Sequence, residues 1–242
     1  MDVLEKKYMV TVGDVDESRY IKPSILFNFF QSITTEHGED LGVGLDFMLE
    51  NGQGWILSRF SVVIERRPVF ADVLTVRTWP QGFEGLLCMR NYDVLDEKGG
   101  IMARASSSWL VLDIKKRRPL RPAALTVAMP PNSGRVYIEG GARSVEKRDG
   151  FVKTAERTAF YSDIDFNGHV NNARYIEWIQ DALPDDFIKN VEKLRVDINF
   201  VGEVARGDNV EICSKPLTPR IMAFEGRRAS DNQTAFRAEI QI

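Results

Sequence analysis

Apolar positions along the chain follow first a helical and then a two-residue period, and this succession occurs twice. After a short strand near the N-terminus, "ILFNFFQSI" (25–33) is apolar on nearly every side, which predicts a helix enclosed by other elements. The strands "GWILSRFSVVIERRP", "DVLTVRTWP", "LLCMRNYDVLD" and "IMARASSSWLVLD" follow, the last two joined by the turn "EKGG". A second helix is predicted from Tyr175, Ile176, Trp178, Ile179, Ala182 and Leu183, with Asn171 or Asn172 as N-cap and Pro184 as terminator. It leads into "LRVDINFV", "DNVEICSKP", "RIMAFEGRRAS" and "FRAEIQI". Each helix is expected to run about three turns.

The two halves are copies. Residues 12–33 lie over residues 161–182 without a gap, setting Asp14 on Asp163, Asp16 on Asp165 and Gln31 on Gln180. With a shifted offset, 63–76 lies over 199–212, and each piece carries a small residue and an aspartate before a strand, Ala71-Asp72 and Gly207-Asp208. One enclosed helix per curved antiparallel sheet defines a hotdog. The expected fold is therefore α+β, a tandem hotdog whose copies pair through a continuous sheet. Its expected divisions are 1–125, a Pro- and Gly-rich connector over 126–150, and 151–242.

A chain of 242 residues, 43% hydrophobic, can bury a sizeable core. Its net charge of −3 argues against a general nucleic-acid binder, although "KKRRPLR" (115–121) is strongly basic. Cys88 and Cys213 fit no metal or disulfide spacing and read as buried strand residues, so no metal or cofactor is expected. No apolar run approaches the roughly 20 residues of a membrane helix, and no leader pattern opens the chain; the expectation is a cytoplasmic protein without membrane contact.

Candidate chemistry concentrates in "YSDIDFNGHVNNARYIEWIQDAL" (161–183). Asp163, Asp165, Asn167 and His169 occupy every second position, which in an extended segment points all four one way. A solvated loop before a helix N-cap is the plainer alternative. Asp163 is expected to cap a turn, as Asp14 does in the first copy. His37, at the end of the first helix, is expected to be a dipole-stabilised cap. Trp55 and Trp79 read as core or pocket wall.

"DIDFNGHVNNARYIEWIQDAL" closely resembles the signature of the acyl-ACP thioesterases, and "WILSRF", "DVLTVRTWP", "RNYDVLD", "RASSSWLVLD" and "KRRPLRP" resemble further blocks of that family. The resemblance implies hydrolysis of fatty acyl-ACP thioesters and places the family's catalytic aspartate, asparagine, histidine and glutamate on Asp165, Asn167, His169 and Glu203. Where plant members often carry a cysteine after that glutamate, this chain has Val204, which excludes a cysteine thioester intermediate there. A plant transit peptide is absent, as expected of a bacterial cytoplasmic enzyme. No serine sits in a G-x-S-x-G elbow, which favours water as nucleophile. Glu203, after Gly202 where a strand can bulge, would be its base. Asn167 and His169 would position water, donate to the thioester oxygen or protonate the thiolate; Asp165 would hold the loop; the second helix's N-terminus would face the oxyanion.

The first copy has Ser18, Tyr20 and Arg67 at the places of Asn167, His169 and Glu203 and so lacks this set. Its Leu26, Phe29 and Phe30, with Trp55 in "LGVGLDFMLENGQGWIL", either line a tunnel for the acyl chain or fill a core. Acyl carrier protein is strongly acidic, so its docking surface is expected at Lys115, Lys116, Arg117, Arg118 and Arg121, with Lys189, Lys193 and Arg195 a second choice. The rivals are an acyl-CoA thioesterase, a hotdog dehydratase and a non-catalytic acyl-binding protein; the assembly is a monomer or a homodimer.

Overall fold

The structure is a computed structural model that describes residues 2–125 and 138–242, so residues 126–137 of the expected connector lie outside the described residues. The first copy runs β1 (Leu4–Met9), α1 (Pro23–Asp40), α2 (Leu45–Glu50), β2 (Gln53–Ile64), β3 (Val73–Glu84), β4 (Leu87–Leu95), β5 (Ile101–Asp113) and β6 (Arg118–Leu120). The second runs β7 (Val152–Thr158), α3 (Asn172–Asp181), β8 (Leu194–Phe200), β9 (Asn209–Thr218), β10 (Ile221–Arg228) and β11 (Thr234–Gln241). One antiparallel sheet holds them in the order β1-β3-β4-β5-β2-β8-β11-β10-β9-β7, with β6 beside β5. Each half therefore has the same connectivity, and α2 and β6 are additions to the first.

The two halves meet along β2 and β8, where Ser61 pairs with Asp197. These residues are equivalent in the repeat, so a pseudo-twofold axis passes between them. Ser61 Oγ donates to Asp197 Oδ1 across this axis at 2.5 Å. The helices also meet: Gln180 Oε1 on α3 accepts the Ser24 N–H at 2.8 Å, satisfying one of the orphan donors at the start of α1.

α1 is longer than its apolar core predicts, 18 residues against about three turns. Pro23 pre-sets its first turn, and its second half is amphipathic, burying Ile33 and His37 while exposing Thr35, Glu36 and Glu39. Leu26, Phe27, Phe30 and Ile33 pack on Phe60, Val62, Leu74, Val76 and Tyr92. α3 buries Ala173, Tyr175, Ile176 and Ile179 against Val196, Ile198, Val210, Phe224 and Phe236. At about 1.5–3 kcal/mol for each fully buried large side chain, these two helices are held by tertiary burial rather than by helix propensity.

On the other face of the sheet, residues 138–149 cross the seam. The Arg143 N–H donates to Ser61 Oγ at 2.9 Å and the Val145 N–H to Asn199 Oδ1 at 2.7 Å. Arg143 and Arg148 both pair with the buried Glu239. The two arginines that precede β7 thus clamp this segment to the strands it crosses.

Candidate active site

The segment from Phe160 to Val170 is not extended. Residues Tyr161–Asp163 form one 3₁₀ turn, and Ile164 bridges to Val170, so the chain between them closes on itself. The Gly168 N–H donates to the Asp165 carbonyl at 3.0 Å, and the Asp165 N–H to the His169 carbonyl at 2.9 Å. Gly168 has φ +79°, a left-handed conformation that glycine adopts without a Cβ clash. The expectation that four alternate side chains share one direction is thus corrected. Asp163 turns back to accept the Phe160 N–H at 2.8 Å, the capping role foreseen for it, and Asp165 Oδ1 accepts the Asn167 N–H at 2.8 Å. Asn167 stands exposed at the tip of the turn. His169, partly buried, bridges through its backbone to Ala205.

Glu203 arrives from the end of β8. The N–H groups of Val201 and Gly202 both donate to the Ala235 carbonyl, at 2.8 and 3.0 Å, which is a β-bulge at the position the sequence suggested. Gly202 is required by close approach: a Cβ there would lie 2.9 Å from the Thr234 carbonyl oxygen. Beyond the bulge the Glu203 carbonyl accepts from Arg228 Nη1 at 2.9 Å, and its carboxylate Oε2 lies 3.5 Å from His169 Nε2. Beneath them Tyr175 is buried; desolvation first, then the charges of Asp165, Asp208 and Glu203, push its phenol well above the usual tyrosine range, so it is a neutral donor.

The first copy builds the same turn and closes it differently. Asp16 Oδ1 accepts the Ser18 and Tyr20 N–H groups at 2.9 and 3.1 Å, and Arg19 takes the left-handed position at φ +66°. Arg67, in the place of Glu203, is fully buried: it pairs with Asp16 Oδ2 at 2.7 Å, donates to the carbonyls of Ile21, Ile188 and Val191, and lies 5.1 Å over the Tyr20 ring. Burial lowers the pKa of its guanidinium and Asp16 opposes that shift. Where the second copy keeps an imidazole and a carboxylate open to solvent, the first ties the loop down.

α3 starts beside His169. Asn171 is its N-cap, accepting the Ala173 N–H at 3.0 Å, so one of the free donors there is already used. Asn172 and Ala173 form one end of a narrow crevice whose other walls are Phe27, Gln31, Leu57, Phe60 and Trp109 of the first copy. The apolar residues expected to touch substrate are distributed unevenly. Leu26 and Phe30 are fully buried, Phe30 against Phe60 and Tyr92, and Phe29 stacks on Tyr8 at 4.3 Å between centroids. Trp55 donates to the Val43 carbonyl at 2.9 Å and packs in a second cluster with Met48 and Leu125. The crevice is lined instead by the neighbouring Phe27 and by Leu57 and Trp109. Trp79 is wholly buried.

His37 is not a cap open to solvent. It is fully buried, and Arg90 Nη1, also buried, donates to its Nδ1 at 2.9 Å, so the imidazole is neutral with its proton on Nε2. Cys88 and Cys213 are buried on β4 and β9, and burial pushes the Cys88 thiol up to about 11.

Lys115, Lys116 and Arg117 lie in the turn between β5 and β6, Arg118 opens β6 and Arg121 follows it, and all five charges are exposed. Because β2 and β8 are antiparallel, the start of β2, its partner β5 and the turn after β5 lie at the same end as Glu203. Arg117 Nη2 reaches Glu203 Oε2 at 2.8 Å. Lys116 stays over its own turn, 3.8 Å from Asp113. In the second basic group Lys189 pairs with Glu17 and Arg195 with Asp197. The Arg117–Glu203 contact was missed by sequence reasoning; it joins residues 86 positions apart, and only the seam register reveals it.

Comparison with known proteins agrees with this architecture. The oleoyl-acyl carrier protein thioesterase 2 of Arabidopsis thaliana is 24% identical over 237 residues, 89% of this chain and 63% of its own length. The palmitoyl-acyl carrier protein thioesterase of Gossypium hirsutum is 27% identical over 223 residues, 84% of this chain and 52% of its own length. Both are chloroplastic proteins, and this chain spans between half and two thirds of each. An acyl-ACP thioesterase from Bacteroides thetaiotaomicron superposes with a TM-score of 0.83 at 23% identity, covering 99% of this chain and 97% of that one. The 12:0-ACP thioesterase from Umbellularia californica gives 0.81 at 18% identity, covering 100% and 97%. Residues 1–124 match the acyl-ACP thioesterase N-terminal domain and residues 147–242 its C-terminal domain, in that order and on either side of the seam, so the chain belongs to the acyl-ACP thioesterase family.

Proposed function

We propose that the protein hydrolyses fatty acyl thioesters carried on acyl carrier protein, releasing free fatty acid and the carrier thiol. The observation that carries this reading is the approach of Glu203 and His169 to 3.5 Å, with Arg117 of the basic turn on the same carboxylate and the first turn of α3, just after His169, lining an apolar crevice. Water between the two side chains adds to the thioester carbonyl carbon as Glu203 accepts its proton. The carbon–sulfur bond then breaks, and the thiolate leaves with a proton delivered from Glu203 through His169. Asn167 donates to the carbonyl oxygen as it gains negative charge. Asp165 acts by holding the turn that carries Asn167 and His169.

The first copy, with its loop tied by Arg67, serves as the acyl-chain half; the chain enters between Leu57, Phe27 and Trp109. The second copy supplies the reacting groups. Lys115, Lys116, Arg117, Arg118 and Arg121 receive the acidic carrier, a role that acts mainly on association rate.

Free-thiol release from a panel of acyl-ACPs of increasing chain length, run beside the matched acyl-CoAs, tests the proposal. Turnover of acyl-ACP that falls by about 10²-fold or more in Glu203→Gln and His169→Ala supports it. Equal turnover of both carriers makes the protein a general acyl thioesterase, and binding of acyl chains without thiol release makes it an acyl-binding protein.

A further inference from the structure

The Arg117 contact places a cation of the first copy on the oxygen of Glu203 that also faces His169. Oε2 is 2.8 Å from Arg117 Nη2 and 3.5 Å from His169 Nε2. Arg117 thus takes an acceptor position on Oε2 for which a water bridging Glu203 and His169 would have to compete, leaving Oε1 as the free oxygen. The contact is also easily exchanged. Both side chains are exposed, Arg117 to 69%, and such pairs contribute little net stability. Arg117 itself sits at φ +48°, in a turn it shares with Lys115 and Lys116 and next to Arg118 of β6, so an anion arriving at that turn meets Arg117 with the rest.

We propose that Arg117 is a specificity-determining residue that makes hydrolysis depend on an anionic thiol carrier: the phosphate of the carrier's pantetheine arm draws Arg117 off Glu203 and releases the base. This rests on the thioesterase reading above. The two free oxygens of the arm's phosphodiester can take the guanidinium fork in bidentate geometry, which the solvated monodentate carboxylate contact does not offer. In the unliganded state Arg117 holds Glu203 against idle turnover of thioesters that lack the phosphate. In the productive complex the same cation orients the arm.

The experiment compares acyl-pantetheine with acyl-4′-phosphopantetheine, which differ only in the phosphate, on the wild-type protein, Arg117→Gln and Arg117→Lys. The expected wild-type result is a higher kcat on the phosphorylated substrate. In Arg117→Gln, kcat on acyl-pantetheine is expected to rise, by up to about fivefold for an exposed pair, so that the kcat difference between the two substrates closes. KM for the phosphorylated one rises at the same time. Arg117→Lys, a point charge without the fork, should restore part of the kcat difference. An equal fall in kcat on both substrates in Arg117→Gln would mean that Arg117 only orients Glu203, and unchanged kinetics would mean that the pair does not form in solution; either overturns the proposal. Absence of hydrolysis by the wild-type protein on every thioester would instead overturn the thioesterase reading itself.

Discussion

Gly202→Ala tests whether the bulge after β8 positions Glu203. The added Cβ would lie 2.9 Å from the Thr234 carbonyl oxygen, where ordinary contact begins near 3.4 Å, so the strands must part by about 0.5 Å. The opposing atom is backbone, on a residue of β11 that pairs with Arg227 of β10, and cannot rotate away. The displacement therefore falls on the bulge and on the next residue, Glu203, widening its 3.5 Å separation from His169 towards about 4 Å. Misplacement by about 1 Å costs on the order of 10²-fold in rate, so half of that predicts a fall in kcat of about tenfold. Overpacking should also lower stability by roughly 1–3 kcal/mol, a few degrees in Tm for a chain of this size. Steady-state thiol release and thermal unfolding measure the two effects. Gly13→Ala, where a Cβ would meet nothing within 4 Å, is the control. The bulge alone does not demand glycine, since Arg66 occupies the equivalent place in the first copy, donating to the Met102 carbonyl at 3.1 Å. A Gly202→Ala protein with kcat within twofold of wild type and an unchanged Tm would refute the reasoning.

Arg67→Met should cost about 3–5 kcal/mol, because it strands the Asp16 carboxylate and leaves the Ile21, Ile188 and Val191 carbonyls without their donor; a chemical-denaturation midpoint equal to wild type would rule this out. The double variant Cys88→Ser, Cys213→Ser should keep its kcat. With the Cys88 thiol raised to about 11 by burial, the thiolate fraction gained as pH rises stays small through neutrality, so alkylating reagents should inactivate the native enzyme slowly between pH 7 and 8 if at all, which a timed iodoacetamide assay reads. Leu57→Phe, in the crevice, should shift preference towards shorter acyl groups, whereas Leu26→Trp, in the packed core, should lower activity at every length through lost stability of about 1–3 kcal/mol; an acyl-ACP length series distinguishes the two patterns.

The repeat and the strand periods were legible because a half-buried strand writes its burial in every second residue, and all eight long strands read that way are present. α2 and β6 were not, since six and three residues are too short to carry a period against a loop background. The alternation of Asp163, Asp165, Asn167 and His169 misled for a related reason: the same spacing serves an extended strand and a turn whose aspartates bond their own backbone. His37 read as a dipole-stabilised cap, and nothing in "TTEHGED" announces that Arg90, on β4, will meet it in the interior. The resemblance pointed at Glu203 and His169 separately. Their 3.5 Å approach, and Arg117's contact with the same carboxylate oxygen, depend on seam register, which no local pattern encodes.

The seam has a consequence for how the chain reaches this state. β2 and β8 are central strands of the joined sheet, but each is the open edge of its own half. A nascent first copy therefore exposes a long, largely apolar template, with Phe60, Val62 and Ile64 among its inward residues, until the last third of the chain is made. Closure over that separation is slow compared with hairpin formation. During this interval the half-made protein is most prone to pair with a second copy of itself, so high-level synthesis should favour swapped dimers and aggregates joined through β2. Lower temperature or slower synthesis should suppress them without any change in the finished fold.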